Sequence, residues 1–502
     1  MRSRLQRIQP PRYKHAAFPR APRSPVEFMR KHLRIDKFDV VLAAAILLGF
    51  LVIANLPFAP PKFGDEYFHQ EAQWLAWFAK GAGPWKDVVI TRAPGPDLYY
   101  ALVYLLVPAK SSGNTYWVAA VLWNALWVIV ATMLLRRTGE ALAGPSAGRW
   151  AAVLSLTAPF IIYYSCGVAA ETPTYLGCVV FAYGWAKRRT ALESSHYAWV
   201  ALGGLVLFVL SRPNIALVSA LMVAAAALLW RKRTAVSRQE AKFALLCAFT
   251  AVASLLAVSE ALKLLPKKLG TSQQEKNFSD VMFFGSFQCR TELLDWRFWG
   301  KKTKAGSVDY ESWSAEHDRL IEESKSGEAS LATLELNWAF QDILHHPLLR
   351  LRMTLVRIFM LNVAIMNSDR VEQFGSMPFE RKLLFVTAHV VLNAIASLPL
   401  AGALVFLFRP RNQVLSHWAL WTPWLTLLLF HAFVYAEPRY MLSSRPLLSL
   451  MAASEVANWP RRRRGAVDYV VHLPEERFLP GETLPQKERK TLGVTRPRAA
   501  QG

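Results

Sequence analysis

The chain has 502 residues, 53% of them hydrophobic, including 18 Trp and 28 Phe, and its mean hydropathy is +0.19. That composition excludes a string of ordinary soluble domains and places the chain in a bilayer. The formal net charge of +23 does not indicate nucleic acid, because Lys and Arg fall in short clusters between apolar spans, as cytoplasmic loops require.

Residues 1–37 are basic (Arg2, Arg4, Arg7, Arg12, Lys14) and too long and polar for a signal-peptide n-region, which predicts a cytoplasmic N-terminus followed by a retained signal anchor. The first crossing is expected over 38–57, about twenty residues, the length needed to span. It delivers a polar stretch to the far side: Gly64-Asp-Glu-Tyr-Phe-His-Gln-Glu-Ala-Gln73, then Trp85-Lys-Asp87 and Ile90-Thr-Arg-Ala-Pro-Gly95. Residues 97–108 are apolar but short, and are read as an interfacial or re-entrant helix of the same external loop.

Crossings are then expected over 117–135, 150–164, 173–186, 197–210, 215–230 and 241–262. This register puts the clusters Arg136-Arg137, Lys187-Arg-Arg189 and Arg231-Lys-Arg233 inside, and counting 97–108 as a crossing would turn all three outside. The polar stretch 263–345 reads as a small external subdomain. Residues 346–366 read as an amphipathic interfacial helix, with Arg350, Arg352 and Arg357 toward headgroups or a lipid phosphate. Crossings over 383–408, 418–435 and 441–457 end at the Arg461–Arg464 cluster, and the Pro- and charge-rich tail is expected to be disordered.

The fold class expected is therefore an all-α polytopic membrane protein with about ten transmembrane helices and both termini inside. Its divisions are an N-terminus (1–37), a membrane module (38–262) with its first external loop at 58–115, an external loop, cap and interfacial helix (263–380), C-terminal transmembrane helices (381–459) and a tail (460–502). The four cysteines show neither a disulfide framework nor paired zinc-ligand spacing.

The candidate chemistry lies on the external face. In a helix starting at Asp65, the residues Asp65, His69 and Gln73 share a face, with Glu66 and Gln70 beside them. Asp65 also suits a plain N-cap, His69 a hydrogen-bonded interfacial histidine, and Arg212 and Arg439 snorkelling helix ends. Alternatively, a carboxylate at this boundary serves as a general base toward a sugar hydroxyl, and arginines grip the phosphate of a lipid-linked donor.

These residues resemble the GT-C superfamily of polyprenyl-phosphate-sugar-dependent glycosyltransferases, above all the eukaryotic α-1,2-glucosyltransferases that add the last glucose to the dolichol-linked N-glycan precursor. The likeness rests on Asp65-Glu66, Phe68-His69, Glu71-Ala72-Gln73, Trp85 with Asp87, Ile90-Thr91 and Pro94-Gly95, then on Ala170-Glu171-Thr172 and Arg212-Pro-Asn214 with Ile215. It covers roughly residues 38–230. The later Glu437-Pro-Arg-Tyr-Met-Leu is more similar to the final-span signature of bacterial members.

The resemblance implies a GT-C fold and transfer of a hexose, glucose among the candidates, from a polyprenyl-phosphate donor. The acceptor would be a lipid-linked or cell-envelope glycan on the non-cytoplasmic face, with inversion at the anomeric carbon. Asp65 would be the catalytic base. Glu66 and Glu171 would position sugar hydroxyls or a cation, Arg212 and Arg439 would hold phosphate, and His69, Asp87, Arg92 and Asn214 would complete the substrate contacts. No nucleotide, metal or other cofactor is required by this chemistry, and no nucleic acid is a partner. The implied location is a bacterial inner (plasma) membrane with the active site outside, or the endoplasmic reticulum membrane in a eukaryote. The rival classes are a polytopic transporter or lipid flippase, and a membrane scaffold docking through 263–345. The clustering of acids on one face argues against the transporter.

The topology has a direct check. A membrane-impermeant thiol reagent added outside should label single cysteines placed near positions 87 and 300, and should not label those near 188 or 462. Labelling at 188 would reverse the register.

Overall fold

The computed structural model describes residues 35–55, 66–82, 94–156, 160–190, 194–212, 217–232, 234–263, 279–291, 307–327, 329–363, 378–434 and 438–463. Among these the secondary structure is entirely helical. The chain divides into two units, one ending at Ala44 and the other beginning at Ala45. The first contributes the opening turns of α1 (Lys37–Ala54). There Asp36 and Asp39 cap reciprocally: Asp39 Oδ2 accepts from the Asp36 N–H at 3.2 Å, and Asp36 Oδ1 from the Asp39 N–H at 3.1 Å.

In the second unit, α2 (Glu66–Ala79) and α3 (Pro94–Tyr104) precede a long helix, α4 (Gly113–Ala143). Of the stretch expected as one return crossing over 150–164, the described residues lie in α5 (Pro145–Leu156) and α6 (Phe160–Ser165), and 157–159 lie outside the described residues. Then follow α7 (Glu171–Thr190), α8 (Ser194–Ser211), α9 (Val218–Trp230) and α10 (Ala235–Lys263). Residues 279–285 are helical, and α11 (Val308–Lys325), α12 (Leu331–His345) and α13 (Pro347–Val363) come after them. The last elements are α14 (Phe379–Leu407), α15 (Arg411–Ser416), α16 (Trp418–Phe433), a 3-10 turn (Pro438–Ser444) and α17 (Arg445–Arg463).

Among the described residues, three helices are long and apolar enough to cross a membrane: α1, α4 and the Ala235–Val258 part of α10. Shorter apolar helices lie in α8, α9, α14 and α16. Leu47, Leu48 and Leu51 of α1, Leu122 and Leu126 of α4, and Phe249 and Leu256 of α10 are exposed. Water would penalise such apolar faces, whereas lipid accepts them, because every backbone group within a helix is already bonded. The protein is an all-α polytopic membrane protein.

The closest packing joins α7 to α8. An added Cβ would lie 2.6 Å from Phe208 N at Gly177, 2.3 Å from Ala201 N at Gly184 and 2.4 Å from Phe181 N at Gly204. The two backbones therefore touch along the hairpin, as small-residue interfaces allow in lipid, where van der Waals contact rather than solvent exclusion joins helices. Gly139 and Gly148 join α4 to α5 in the same way, and Gly402 seats α14 on Ala452 of α17. At the chain reversal between α4 and α5, Arg136 and Arg137 each pair with Glu140 at 2.9 Å.

The helix expected at the interface behaves differently from its amphipathic reading. Arg350 and Arg357 of α13 are buried, not turned toward headgroups. Arg350 donates to Phe433 O at 2.7 Å and Ser286 Oγ at 3.2 Å. Arg357 donates to Gln288 O at 2.6 Å and Phe433 O at 3.2 Å, and also reaches Gly285 O. The physical reason lies in the helix that faces them. The end of α16 leaves carbonyls without intrahelical partners at its negative pole, and guanidinium groups satisfy both the hydrogen bonds and the dipole. Arg352, by contrast, reaches the carbonyls of Cys289, at 3.4 Å, and Arg290.

Adjacent glycines in α8 provide a test of the packing. Gly203 faces open space, and Gly204 faces the α7 backbone. Gly204→Ala should lower stability by about 1–3 kcal/mol through overpacking, and Gly203→Ala should leave it unchanged or raise it by up to about 1 kcal/mol through the lost backbone freedom. Thermal unfolding of the two variants in detergent, run side by side, measures the difference.

Candidate functional site

The α7–α8 hairpin brings the start of α7 beside the end of α8, joining residues 41 positions apart in the chain. Glu171 opens α7, where its carboxylate meets the positive end of the helix dipole, and Lys187, Arg188 and Arg189 occupy the opposite end. Arg212 follows the last residue of α8. Its Nη2 donates to Glu171 Oε1 at 2.7 Å, with the side chains only 11% and 1% exposed. Removing either member of such a pair leaves a charge out of water and costs about 3–5 kcal/mol in general. Glu171 Oε2 is buried and has no hydrogen-bond partner among the described residues, and the same holds for Ser211 Oγ next to Arg212.

The third contributor is the start of α3. A Cβ on Gly95 would lie 2.6 Å from Ser211 N and 2.7 Å from Ser211 Oγ, so only glycine lets Pro94-Gly95 rest on the end of α8. Asp97, two residues on, is fully buried.

The turn that carries Glu171 is held from α3 and α4. Tyr100 donates to Ala169 O at 2.9 Å and accepts from the Ala169 N–H at 3.1 Å. Asn124 donates to Ser165 O at 2.9 Å and Gly167 O at 3.1 Å, and Trp117 Nε1 donates to Cys166 O at 2.9 Å. Thr172 and Ser165 share a bond of 2.7 Å. This turn is buried, so its backbone groups need protein partners in place of water. Burial pushes the Tyr100 phenol well above its ordinary pKa, which keeps the donating proton on the oxygen.

Upstream, His69 on α2 is buried, with Nδ1 3.0 Å from Tyr104 Oη and edge-on contacts to Tyr104 and Tyr116. Trp77 Nε1 donates to Tyr116 Oη at 3.0 Å, and Lys80 Nζ to Tyr104 O at 3.0 Å. Together these contacts fasten α2 to α3 and to Tyr116 of α4.

Of the residues singled out in the sequence, the structure joins Glu171 to Arg212 and places His69 in the aromatic seam between α2 and α3. Glu66 is the first residue of α2, and Arg439 lies in the 3-10 turn. Asp65, Asp87, Arg92 and Asn214 lie outside the described residues. Tyr100, Asn124 and Asp97 were not legible as site residues. Tyr and Asn near an apolar span look like belt and core positions, and the one sequence signal was Asp97 directly after the Pro94-Gly95-Pro96 breaker.

No protein-family model matches the chain, and no curated protein matches it. Among solved structures, the crystal structure of ArnT from Cupriavidus metallidurans bound to undecaprenyl phosphate aligns over 86% of this chain and 81% of that one, with 13% identity and a TM-score of 0.35. That likeness is too low to carry an argument about fold, activity or ligand.

Tyr100→Phe removes the hydroxyl that serves both backbone groups of Ala169. It should destabilise the protein by about 1–3 kcal/mol, the range for a buried group left unsatisfied, measured by thermal or denaturant unfolding in detergent.

Proposed function

We propose that the chain is a GT-C-type membrane glycosyltransferase that moves a hexose from a polyprenyl-phosphate donor to a hydroxyl of a lipid-linked or cell-envelope glycan, on the non-cytoplasmic face. The observation that carries this reading is a convergence. The resemblance rests on motif stretches around residues 65–95, 170–172 and 212–215, which are far apart in the chain. Gly95 rests on Ser211 while Arg212 bonds Glu171, so members of all three stretches meet at one point. Unrelated surface features have no reason to assemble in this way.

In the mechanism, Asp65 takes the proton from the acceptor hydroxyl. The oxygen then attacks the anomeric carbon of the donor from the face opposite the phosphate. The new C–O bond forms as the bond to phosphate breaks, the anomeric centre inverts, and polyprenyl phosphate departs with the electron pair. Phosphate is a good leaving group, so activation of the nucleophile and stabilisation of phosphate charge suffice.

Arg212 and Arg439 hold the phosphate, Glu66 and Glu171 receive sugar hydroxyls, and Asp87, Arg92 and Asn214 complete the contacts. His69 acts through Tyr104 as a positioning residue for α2, consistent with its burial. About ten crossings with both termini inside, in a bacterial plasma membrane, fit this chemistry.

The test is transfer from radiolabelled polyprenyl-phosphate sugars. Asn caps a helix as well as Asp does, so Asp65→Asn should express and insert normally. It cannot accept a proton, so turnover should fall about 10²–10⁴-fold. Retention of more than about a tenth of wild-type turnover, against that loss, would remove Asp65 from the role of base. Arg212→Lys keeps the charge but loses the planar fork, and should weaken donor affinity several-fold with a smaller change in turnover. Lipid movement across the bilayer without transfer would make the protein a flippase.

A further inference from the structure

The segment 263–345 has a chemistry that the transfer reaction does not use. Its helices pack on an aromatic core in which Phe287 stacks on Trp338 at 4.7 Å and Phe283 meets the same indole edge-on at 5.2 Å. Against this core three titratable side chains converge from three separate elements: Asp280 in the helical stretch 279–285, His317 on α11 and Glu335 on α12. One potential ligand atom from each lies within 4.8 Å of the other two, and His317 Nε2 is 3.5 Å from Glu335 Oε1. For bond lengths of about 2.0–2.2 Å to nitrogen and oxygen, two ligands of a tetrahedral ion stand roughly 3.4 Å apart.

We propose that Asp280, His317 and Glu335 form a binding site for a divalent transition-metal ion that clamps the helical stretch 279–285, α11 and α12 together. Imidazole with two carboxylates suits zinc and its neighbours in the first transition row. The surroundings of the ligands support the assignment. Glu335 is fully buried, and Ser279 Oγ donates to its Oε2 at 2.7 Å, which turns Oε1 toward the histidine. His317 is held by stacking on Trp313 at 5.1 Å and 22°, so its ring orientation is preset. A hydrogen-bonded carboxylate and a fixed imidazole are what outer-shell groups provide in metal sites. Asp280 and His317 are half-buried, which leaves a route for the ion from solvent.

The test uses full-length protein in detergent, stripped with a chelator and titrated with zinc chloride. Bound zinc per chain and the unfolding temperature are the two readouts. The wild type should hold one zinc more than His317→Gln or Glu335→Gln, and its unfolding temperature should rise with zinc where theirs does not. Ser279→Ala keeps all three ligands and should weaken zinc affinity about 10–100-fold. If the Glu335 variant does not fold, Asp280→Asn at the half-buried position takes its place. Equal zinc content in wild type and His317→Gln, with equal thermal response, would overturn the proposal and leave an ion pair of His317 with Glu335. A cobalt(II) complex whose visible bands vanish in His317→Gln would support it independently of folding.

Discussion

The contact between the α7 and α8 backbones is the constraint on which the rest of the site depends. In lipid, two helices gain little by hiding apolar side chains from one another, because the solvent is equally apolar. Close approach must come from small residues, and Gly177, Gly184 and Gly204 provide it. The hairpin that results sets the start of α7 beside the end of α8, and Glu171 and Arg212 meet at 2.7 Å as a consequence of that register.

Around this hairpin the polar groups form layers that each need the next. The Glu171–Arg212 pair rests on a buried turn, and the turn is held by Tyr100, Asn124 and Trp117. Tyr100 and Tyr104 are themselves carried by α3, which Gly95 seats on α8. A loop at this depth has no water to satisfy its carbonyls, so neighbouring helices supply the donors. The same logic governs α13, whose arginines serve the open carbonyls at the end of α16 instead of lipid headgroups. A proposed transfer site built this way has its anion-binding groups oriented before a substrate arrives, which is the condition for electrostatic stabilisation of a departing phosphate.

The segment after α10 follows other rules. Its helices begin on serine caps, with Ser307 accepting from the Tyr310 N–H at 3.2 Å and Ser330 from the Thr333 N–H at 3.3 Å. An aromatic core and the ion pair of Arg290 with Asp342 at 2.7 Å join them. Caps, aromatic burial and an ion pair together hold these helices. Asp280, His317 and Glu335 sit at the seam of its helices, where a metal ion would add a cross-link that the small core lacks.

The sequence by itself determined the membrane class and the helical character, because apolar length and basic clusters are local properties that survive without knowledge of contacts. It also pointed to Glu171 and Arg212 as polar residues at the ends of apolar spans, and to Pro94-Gly95 as part of the motif likeness. Only the tertiary structure decided that these three come into contact, since small residues along one helix do not say which neighbouring helix they meet. The inward turn of Arg350 and Arg357 and the meeting of Asp280 with His317 and Glu335 were equally hidden. An arginine on an amphipathic helix reads the same whether it faces a phosphate or a carbonyl, and three ligands on three helices have no common spacing. What each polar group faces is a long-range property, and the packing of the helices decides it.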